Sequence, residues 1–317
     1  MAAAIIQTQG LTKSYKGGKS KFALQNLNLT VEKGEIFGYL GPNGAGKTTT
    51  IKLLLDLIRP ESGSASLFGL DARASSVEIR KRLGYLPGDL NLWKNLSGHY
   101  VIRYFSSVRG TPIPDYAKTL IERLEFDPTK KVRSYSTGNR RKLGLILALM
   151  HRPELLMLDE PTNGLDPLVQ QTFIELMREA QANGQTVFLS SHLLNEVQAI
   201  CDRAAILRDG RLLSVQRIDE LSSSGFKYVK LTLRDPQPAS ILTNVAGVED
   251  VQVNGSQISL RLTGDFEPLL RALNDNYVVN MHVQEPTLEE IFLTYYGDRL
   301  ANGSAKNHQT TTEAKSS

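Results

Sequence analysis

The sequence contains a single cysteine, Cys201, among its 317 residues. One cysteine excludes an intrachain disulfide and a zinc site built from cysteines, and it fits a reducing compartment. Long apolar runs are also missing: one of the richest, residues 143–150, is far shorter than the roughly 20 residues that a membrane-spanning helix needs. The start of the chain lacks the basic and apolar segments of a signal peptide. We therefore expect a cytoplasmic protein that would reach a membrane only through a partner.

A strong excess of one charge is absent as well. Lysine and arginine number 37 and aspartate and glutamate 33, which gives a net charge of +4. Dedicated nucleic-acid-binding proteins carry denser positive charge, so no nucleic-acid partner is expected. Hydrophobic residues make up 41% and charged residues 22% of the chain, which allows a sizeable core and excludes wholesale disorder. At roughly 150 residues per domain, the length indicates about two domains.

Strand, loop and helix alternate over residues 1–225, a pattern typical of an α/β domain. A helix is predicted at residues 48–59, ended by Pro60, and residues 89–150 read as a more helical subdomain. The predicted buried strands lie at residues 35–40, 155–158 and 186–189. The sequence thus predicts an α/β fold with a helical insertion for its first domain.

A change of pattern follows the serine-rich residues 221–225. Alternating apolar and polar residues then predict strands, and Asn254-Gly255 predicts a tight hairpin between two of them. Short helices are predicted at residues 266–273 and 288–296, the second with a capping box formed by Thr287 and Glu290. We therefore expect a small α+β domain at residues 226–297. The polar residues 298–317 are predicted to form a disordered tail.

Residues 41–48 fit the phosphate-loop pattern G-x-x-x-x-G-K-[ST]. Glycines allow several backbone N–H groups to point at one phosphate, and the following helix presents its positive end to the same anion. Lys47 would reach the β- and γ-phosphates, and the Thr48 hydroxyl would ligate Mg²⁺. The nucleotide-binding candidates here are Gly41, Pro42, Asn43, Gly44, Ala45, Gly46, Lys47, Thr48 and Thr49. A predicted strand before the loop and a predicted helix after it supply the context that the pattern requires.

An apolar strand at residues 155–158 ends in two carboxylates, Asp159 and Glu160. Such a strand places charge at the carboxyl edge of an open α/β sheet, where ligands bind. Asp159 would hold Mg²⁺ through water, and Glu160 would polarise the attacking water as general base. Two acids after a strand can also begin a solvated turn, but the phosphate loop in the same chain favours the catalytic interpretation.

The order of these motifs, followed by Gly164-Leu165-Asp166 and then Ser190-Ser191-His192, resembles the ATP-binding subunit of ABC transporters over residues 5–225. The resemblance implies a P-loop ABC-type nucleotide-binding fold that uses ATP and Mg²⁺. It implies that Asp166 lies in the loop crossing a dimer interface and that His192 is the switch histidine touching the γ-phosphate. It also implies that Tyr15 stacks on adenine; the alternatives are a capped residue after a strand for His192 and an exposed hairpin residue for Tyr15.

The signature motif of that family reads Leu-Ser-Gly-Gly-Gln, and the corresponding stretch here is Tyr135-Ser136-Thr137-Gly138-Asn139. Ser136 and Gly138 match, so the resemblance implies that they grip the γ-phosphate of ATP bound to a partner subunit. The basic run at residues 140–142 is interpreted as a solvated helix face rather than a nucleic-acid-binding patch.

The chain departs from the family pattern at Gly88, where a glutamine usually contacts Mg²⁺ and senses the membrane partner. Either the following Asp89 or a water molecule would then supply the missing oxygen. Nearby Trp93 lies where the resemblance places the docking of a transmembrane partner. It could equally fill the core of the helical subdomain.

Residues 285–292 look like the C-terminal element of bacterial drug- and polyketide-exporter ATPases. The resemblance therefore implies an ATPase with catalytic residues Lys47, Glu160 and His192, peripheral on the cytoplasmic face of the cell membrane. Its partners would be a transmembrane permease subunit and a second copy of itself or a paralogous ATPase chain. Two alternatives stay open: a soluble ABC-type ATPase acting on a cytosolic complex, and a regulatory module that binds ATP without useful turnover.

Overall fold

The fold is described from a computed structural model, which covers residues 3–15, 22–219, 226–236, 238, 241–242, 244–274 and 276–284. The chain divides into two compact units, Met1–Ile218 and Asp219–Ser317. The boundary lies a few residues before the predicted one at residue 225. No helix in the described ranges is long and apolar enough to cross a membrane.

The first unit combines two sheets with helices in an α/β arrangement. Its described strands are β1 (Ala4–Lys13), β2 (Leu24–Glu32), β3 (Ile36–Leu40), β4 (Ser62–Leu67), β5 (Leu70–Asp71), β6 (Leu83–Leu86), β7 (Leu155–Asp159), β8 (Thr186–Ser191), β9 (Arg203–Arg208) and β10 (Arg211–Arg217). Its described helices are α1 (Lys47–Leu54), α2 (Ser76–Arg82), α3 (Gly98–Val108), α4 (Asp115–Arg123), α5 (Thr137–Leu149), α6 (Pro167–Ala182) and α7 (Leu194–Ile200), with a 3₁₀ turn at Val132–Ser134. The α/β class predicted from the alternation is confirmed.

The larger sheet has six strands in the order β10-β9-β3-β8-β7-β6. All neighbouring strands in it are parallel except the β10–β9 pair. Every residue of β3, β7 and β8 is buried, as expected for parallel strands covered on both faces. The register places Asp159 beside Ser190 and Leu40 beside Ser191. The carboxyl ends of three adjacent strands therefore converge on the loop that follows β3.

A second, antiparallel sheet has the order β2-β1-β4-β5. Its apolar side joins the larger sheet in one hydrophobic core that includes Ile6, Leu29, Phe37 and Phe188. Strand β4 was not among the predicted strands, because its residues Ser-Gly-Ser-Ala-Ser-Leu lack the β-branched and aromatic side chains that favour strands. The backbone hydrogen bonds of β4 to β1 stabilise it as a strand in spite of this low strand propensity.

Helix α1 ends several residues before the Pro60 that was predicted to stop it. The N–H of Leu57 donates to the carbonyl of Lys52 at 2.8 Å, and the N–H of Asp56 donates to the carbonyl of Leu53 at 3.1 Å. With Asp56 in the left-handed region at φ 55°, these bonds form a Schellman motif. The prediction was wrong because an aspartate, rather than the usual glycine, takes the left-handed position.

The segment predicted to be more helical, residues 89–150, contains α3, α4 and α5. Ser97 caps α3 by accepting a hydrogen bond from the N–H of Tyr100 at 3.2 Å, as its residue type favours. Trp93 is 49% exposed and packs edge-on against Tyr104 with ring centroids 4.9 Å apart. The interpretation of Trp93 as a core residue is therefore wrong, since half of its side chain faces solvent.

The second unit contains an antiparallel sheet with the order β12-β13-β11-β14. Its described elements are β11 (Phe226–Leu233), β12 (Val248–Asn254), β13 (Gln257–Thr263), α8 (Glu267–Ala272) and β14 (Val278–Gln284). The hairpin predicted at Asn254-Gly255 joins β12 and β13, with Asn254 paired to Gln257. Inward residues of the sheet, including Val229, Leu231 and Leu260, form a separate core with Leu269. The predicted helix at residues 288–296, its capping residues Thr287 and Glu290, and the tail at 298–317 lie outside the described residues.

His151, in the connection from α5 to β7, gives the fold a dependence on pH. Its Nε2 lies 3.2 Å from the carbonyl oxygen of Leu83. Burial, together with the positive charge of Arg109, lowers the pKa of His151 from 6.5 to about 4. Between pH 6.5 and 4, His151 is therefore protonated in the unfolded chain but stays neutral in the folded chain. We expect the free energy of unfolding to fall between pH 6.5 and 4, by on the order of 1–3 kcal/mol.

Urea denaturation at a series of pH values measures this dependence. His151→Gln should flatten the curve between pH 6.5 and 4, because glutamine can still donate to Leu83 but does not titrate. His99→Gln, at an exposed histidine of α3, should leave the wild-type slope unchanged. An unchanged slope in His151→Gln would assign the acid sensitivity to other groups.

Candidate active site

The phosphate loop lies between β3 and α1, at the carboxyl edge of the larger sheet. Gly46 precedes the helix at φ 108°, and a Cβ there would lie 2.4 Å from the carbonyl oxygen of Ala23. Only glycine tolerates both this backbone conformation and this close approach. Because α1 begins at Lys47, the N–H groups of its first turn have no acceptor within the helix and point toward the loop. The loop and the helix end thus have the backbone geometry that an anion cradle requires, and their binding of phosphate stays a prediction.

Lys47 is buried, with 6% of its surface exposed. Its Nζ donates to the carbonyl oxygens of Gly41 at 2.6 Å and Pro42 at 3.2 Å. The same Nζ lies 3.1 Å from Glu160 Oε1 and forms an ion pair with it. The angles at this contact do not meet those of a hydrogen bond. The ammonium is therefore held inside the curl of the loop and already faces one negative charge.

Glu160 connects Lys47 to His192. Its Oε2 lies 2.7 Å from His192 Nδ1, and its own backbone adopts φ 50°, a conformation that non-glycine residues adopt only under constraint. Its N–H donates to the backbone carbonyl of Ser190 at 3.2 Å and to the Ser190 hydroxyl at 3.0 Å. The strained backbone and these bonds aim the carboxylate at the phosphate loop.

Asp159 is fully buried beside the loop. Its Oδ2 accepts a hydrogen bond from the Thr48 hydroxyl at 2.8 Å, and its Oδ1 accepts one from the Ser190 hydroxyl at 2.6 Å. Burial, with the negative charge of Asp159 nearby, raises the pKa of Tyr85 to about 12. The Thr48 hydroxyl and a carboxylate oxygen thus meet at the mouth of the anion cradle, a hard-oxygen pair of the kind that Mg²⁺ prefers.

The chemistry of these residues fits the binding of a nucleoside triphosphate together with Mg²⁺. In the described ranges no group of three or more histidine, cysteine, aspartate or glutamate side chains could hold a metal ion by itself. The pair formed by Thr48 and Asp159 therefore suits a metal whose remaining ligands come from phosphate oxygens and water. The ammonium of Lys47 supplies the positive charge that a terminal phosphate requires.

The other predicted site residues have contacts outside this cluster. Ser136 caps α5 by accepting hydrogen bonds from the Asn139 backbone N–H and side-chain amide, both at 3.2 Å. A Cβ on Gly138 would lie 2.7 Å from the carbonyl oxygen of Gly164, so the start of α5 packs against the loop that follows β7. Asp166 caps α6 by accepting from the Val169 N–H at 3.0 Å. Tyr15 is 47% exposed, just beyond the end of β1. The roles given to these residues stay predictions.

Three contacts of the site were missed by the sequence reasoning. Ser190 bridges Asp159 and Glu160, as described above. Glu196, on α7, accepts hydrogen bonds from the hydroxyls of Thr162 at 2.6 Å and Ser191 at 2.7 Å. It thereby connects the chain after β7 to the last residue of β8, directly before His192. Its position four residues after His192 is a signal that could have found it. The third is Arg141, whose guanidinium donates to the backbone carbonyls of Pro87 and Gly88.

Comparisons with known proteins identify the family of this chain. A family model described as "ABC transporter" matches residues 24–163, and one described as "ATP-binding protein DrrA1-3-like, C-terminal domain" matches residues 218–296. The bacitracin transport ATP-binding protein BcrA of Bacillus licheniformis is 34% identical over 302 residues, which cover 92% of this chain and 97% of that protein. The linearmycin resistance ATP-binding protein LnrL of Bacillus subtilis is 29% identical over 312 residues, covering 93% and 99%.

Solved structures show the same fold in the first unit. An ATP-binding subunit of an ABC transporter superposes with a TM-score of 0.62 at 28% identity, covering 68% of this chain and 91% of that one. A dimeric ATP-binding cassette in a post-hydrolysis state with ADP and phosphate superposes with a TM-score of 0.61 at 22% identity, covering 67% and 98%. The chain therefore belongs to the ABC transporter family, as an ATP-hydrolysing, ATP-binding subunit homologous to the drug-exporter-like ATPases of that family.

Proposed function

We propose that this chain is the nucleotide-binding subunit of an ABC exporter and that ATP-dependent pairing of two such subunits drives a separate membrane-spanning subunit. The observation that carries the proposal is the chain of contacts from Lys47 through Glu160 to His192 beside the Thr48–Asp159 pair. Support for export comes from relatives matched along nearly their whole length, one named for bacitracin transport and one for linearmycin resistance.

In this proposal the phosphate loop and Lys47 hold the phosphates of ATP, and Tyr15 stacks on its adenine. Thr48 and Asp159 hold Mg²⁺, which neutralises charge on the phosphates when bound. Glu160 accepts a proton from the attacking water at its carboxylate, and His192, 2.7 Å from Oε2, orients that carboxylate. No covalent intermediate with the protein is required, because catalysis of phosphoryl transfer rests on positioning and charge stabilisation.

The contact between Lys47 and Glu160 indicates how nucleotide binding starts the cycle. A terminal phosphate and the Glu160 carboxylate carry the same sign of charge and compete for one ammonium. Binding of ATP would therefore release Glu160 from Lys47 and leave its carboxylate free to face water, while His192 keeps hold of Oε2. Ser136 and Gly138 lie at the start of α5 and Asp166 at the start of α6. The same residues of a second copy or of a paralogous chain would complete the site.

The exposed aromatic cluster of Trp93, Tyr100 and Tyr104 is the surface proposed for the membrane subunit. It lies on and beside α3, in the helical segment, and exposed aromatic residues are typical of protein interfaces. A peripheral location on the cytoplasmic face of the membrane follows from such docking.

Purification of the tagged full chain from its native membranes in mild detergent, with mass spectrometry of the recovered proteins, tests this function. We expect a polytopic membrane protein in stoichiometric amount, and Trp93→Ala should reduce its recovery because the substitution removes the largest ring of the cluster. Tyr277→Ala, at an exposed aromatic residue of the second unit, serves as the matched control. Recovery only in the soluble fraction with a cytosolic complex would contradict the transporter assignment and favour a soluble ABC-type ATPase.

A further inference from the structure

Arg141 is a buried cation on a helix where the sequence predicted a solvated face. Its neighbour Arg140 is exposed, whereas Arg141 and Lys142 are only 7% and 9% exposed. The solvated-face interpretation of this basic run is therefore wrong for two of its three residues. The reason is that α5 is enclosed beyond its first turn: every residue from 141 to 146 is buried, so no side of this stretch faces solvent.

The guanidinium of Arg141 bridges two consecutive backbone carbonyls. Nη1 donates to the carbonyl of Pro87 at 2.8 Å, and Nη2 donates to the carbonyl of Gly88 at 3.1 Å. These residues follow β6 in the segment where the resemblance places a glutamine that this chain lacks. The planar fork of arginine suits such a double contact, which a lysine cannot reproduce.

The clamped segment borders the carboxylate proposed to hold Mg²⁺. A Cβ on Gly88 would lie 3.0 Å from Asp159 Oδ2, the same oxygen that accepts from Thr48. The Gly88 backbone therefore lies directly against Asp159. A shift of this segment would change the room around Oδ2.

The cost of burying the charge of Arg141 is partly offset by carboxylates of the active site. Burial lowers its pKa, while the negative charges of Asp159, Glu160 and Asp89 act in the opposite direction. A buried guanidinium that donates only to neutral carbonyls would be costly without such nearby anions. Its electrostatic partners include Asp159, proposed to hold Mg²⁺, and Glu160, the proposed general base.

We infer that Arg141 is a positioning residue for ATP hydrolysis, which fixes the Pro87–Gly88 backbone against Asp159 and so takes over part of the task of the missing glutamine. Arg141 lies one helical turn after Gly138 and on the same side of α5. The helix that begins at Ser136 is thereby joined to the metal carboxylate. Contact made by Ser136 and Gly138 with a second subunit would reach Asp159 through this clamp. The inference rests on the roles proposed for Asp159 and Ser136.

Arg141→Gln in the full-length chain tests the inference, with Arg140→Gln as the matched control on the same helix. Removal of a charged pair of hydrogen bonds is expected to lower kcat by about 10-fold or more. The Mg²⁺ concentration for half-maximal activity should rise, while the affinity for ATP measured without Mg²⁺ should change by less than about two-fold. Arg140→Gln should match the wild type in all three measurements.

Hydrogen exchange of the nucleotide-free protein gives a readout that does not depend on activity. Backbone amides in residues 83–92 should exchange faster in Arg141→Gln than in the wild type and in Arg140→Gln, because the clamp is gone. Equal exchange in the three proteins, or unchanged Mg²⁺ dependence in Arg141→Gln, would overturn the inference.

Arg141→Lys keeps the charge without the fork and serves if Arg141→Gln does not fold. In Arg141→Lys the Mg²⁺ concentration for half-maximal activity should also rise, but by less than in Arg141→Gln. A wild-type Mg²⁺ requirement in Arg141→Lys would overturn the inference that the two hydrogen bonds of the guanidinium hold the segment. Failure of the proposed function is separable, since it would show in the wild type as hydrolysis that needs neither Mg²⁺ nor Glu160. The exchange measurement would still decide whether Arg141 holds the segment.

Discussion

Glu160→Gln is expected to lower kcat for ATP hydrolysis by about 10²- to 10⁴-fold, the usual contribution of a general base. Glutamine keeps the size of the side chain but cannot accept a proton from water. ATP affinity should stay equal or increase, because the substitution removes the carboxylate that lies 3.1 Å from Lys47 Nζ and competes with the terminal phosphate. Phosphate release at saturating Mg²⁺-ATP and equilibrium binding of ATP measure the two effects separately.

Glu154→Gln is a suitable control for this experiment. Glu154 immediately precedes β7, at the end opposite Glu160, where it forms an exposed ion pair with Arg82. Its loss should leave hydrolysis within about two-fold of the wild type, since exposed ion pairs contribute little. Hydrolysis by Glu160→Gln at a similar rate would show that another group acts as the base.

Glu160→Gln also tests the proposed pairing of subunits. If ATP is held between two copies and hydrolysis releases them, Glu160→Gln should form an ATP-dependent dimer on size exclusion. A variant that stays monomeric at saturating ATP would count against the homodimeric sandwich. Dimer formation only after addition of a second ATPase chain would favour a heterodimer.

The local parts of the site could be predicted from the sequence, because their chemistry depends on neighbouring residues. The phosphate loop and the Asp159-Glu160 pair each lie within one short segment, flanked by strands and helices with clear patterns. The contact between Asp159 and Ser190, by contrast, arises from the register of two parallel strands. Register between strands is set by packing of the whole sheet and leaves no short-range signal.

Arg141 shows a different reason for failure. Three consecutive basic residues indicate a surface when composition alone is considered, yet α5 is buried on all sides from residue 141 to residue 146. Because charged side chains are almost never fully buried, the sequence analysis placed all three basic residues on the surface. The predicted end of α1 was wrong for a similar reason, because Asp56 adopts a left-handed backbone conformation that is usual for glycine. In both cases a residue type occupies an uncommon environment that tertiary contacts stabilise.

Lys47→Ala is expected to reduce affinity for Mg²⁺-ATP by about 10- to 150-fold, the range that corresponds to loss of one charged hydrogen bond. ATP hydrolysis should fall below detection, because the ammonium also neutralises charge that develops on the transferred phosphoryl group. In the nucleotide-free protein the substitution removes the donor to the Gly41 and Pro42 carbonyls and the counter-charge of Glu160. Calorimetric titration with ATP and phosphate-release assays measure these losses.

Two comparison variants separate charge from folding. Lys52→Ala removes an exposed lysine from the same helix and should leave both ATP affinity and hydrolysis unchanged. Lys47→Gln can still donate to one carbonyl of the loop, so it should retain more of the wild-type thermal stability than Lys47→Ala while binding ATP as weakly. Wild-type affinity in Lys47→Gln would mean that the loop backbone alone binds the phosphates. Equal loss in both Lys47 variants, with folding preserved in Lys47→Gln, would assign the affinity to the positive charge at Nζ, where Glu160 and the terminal phosphate compete.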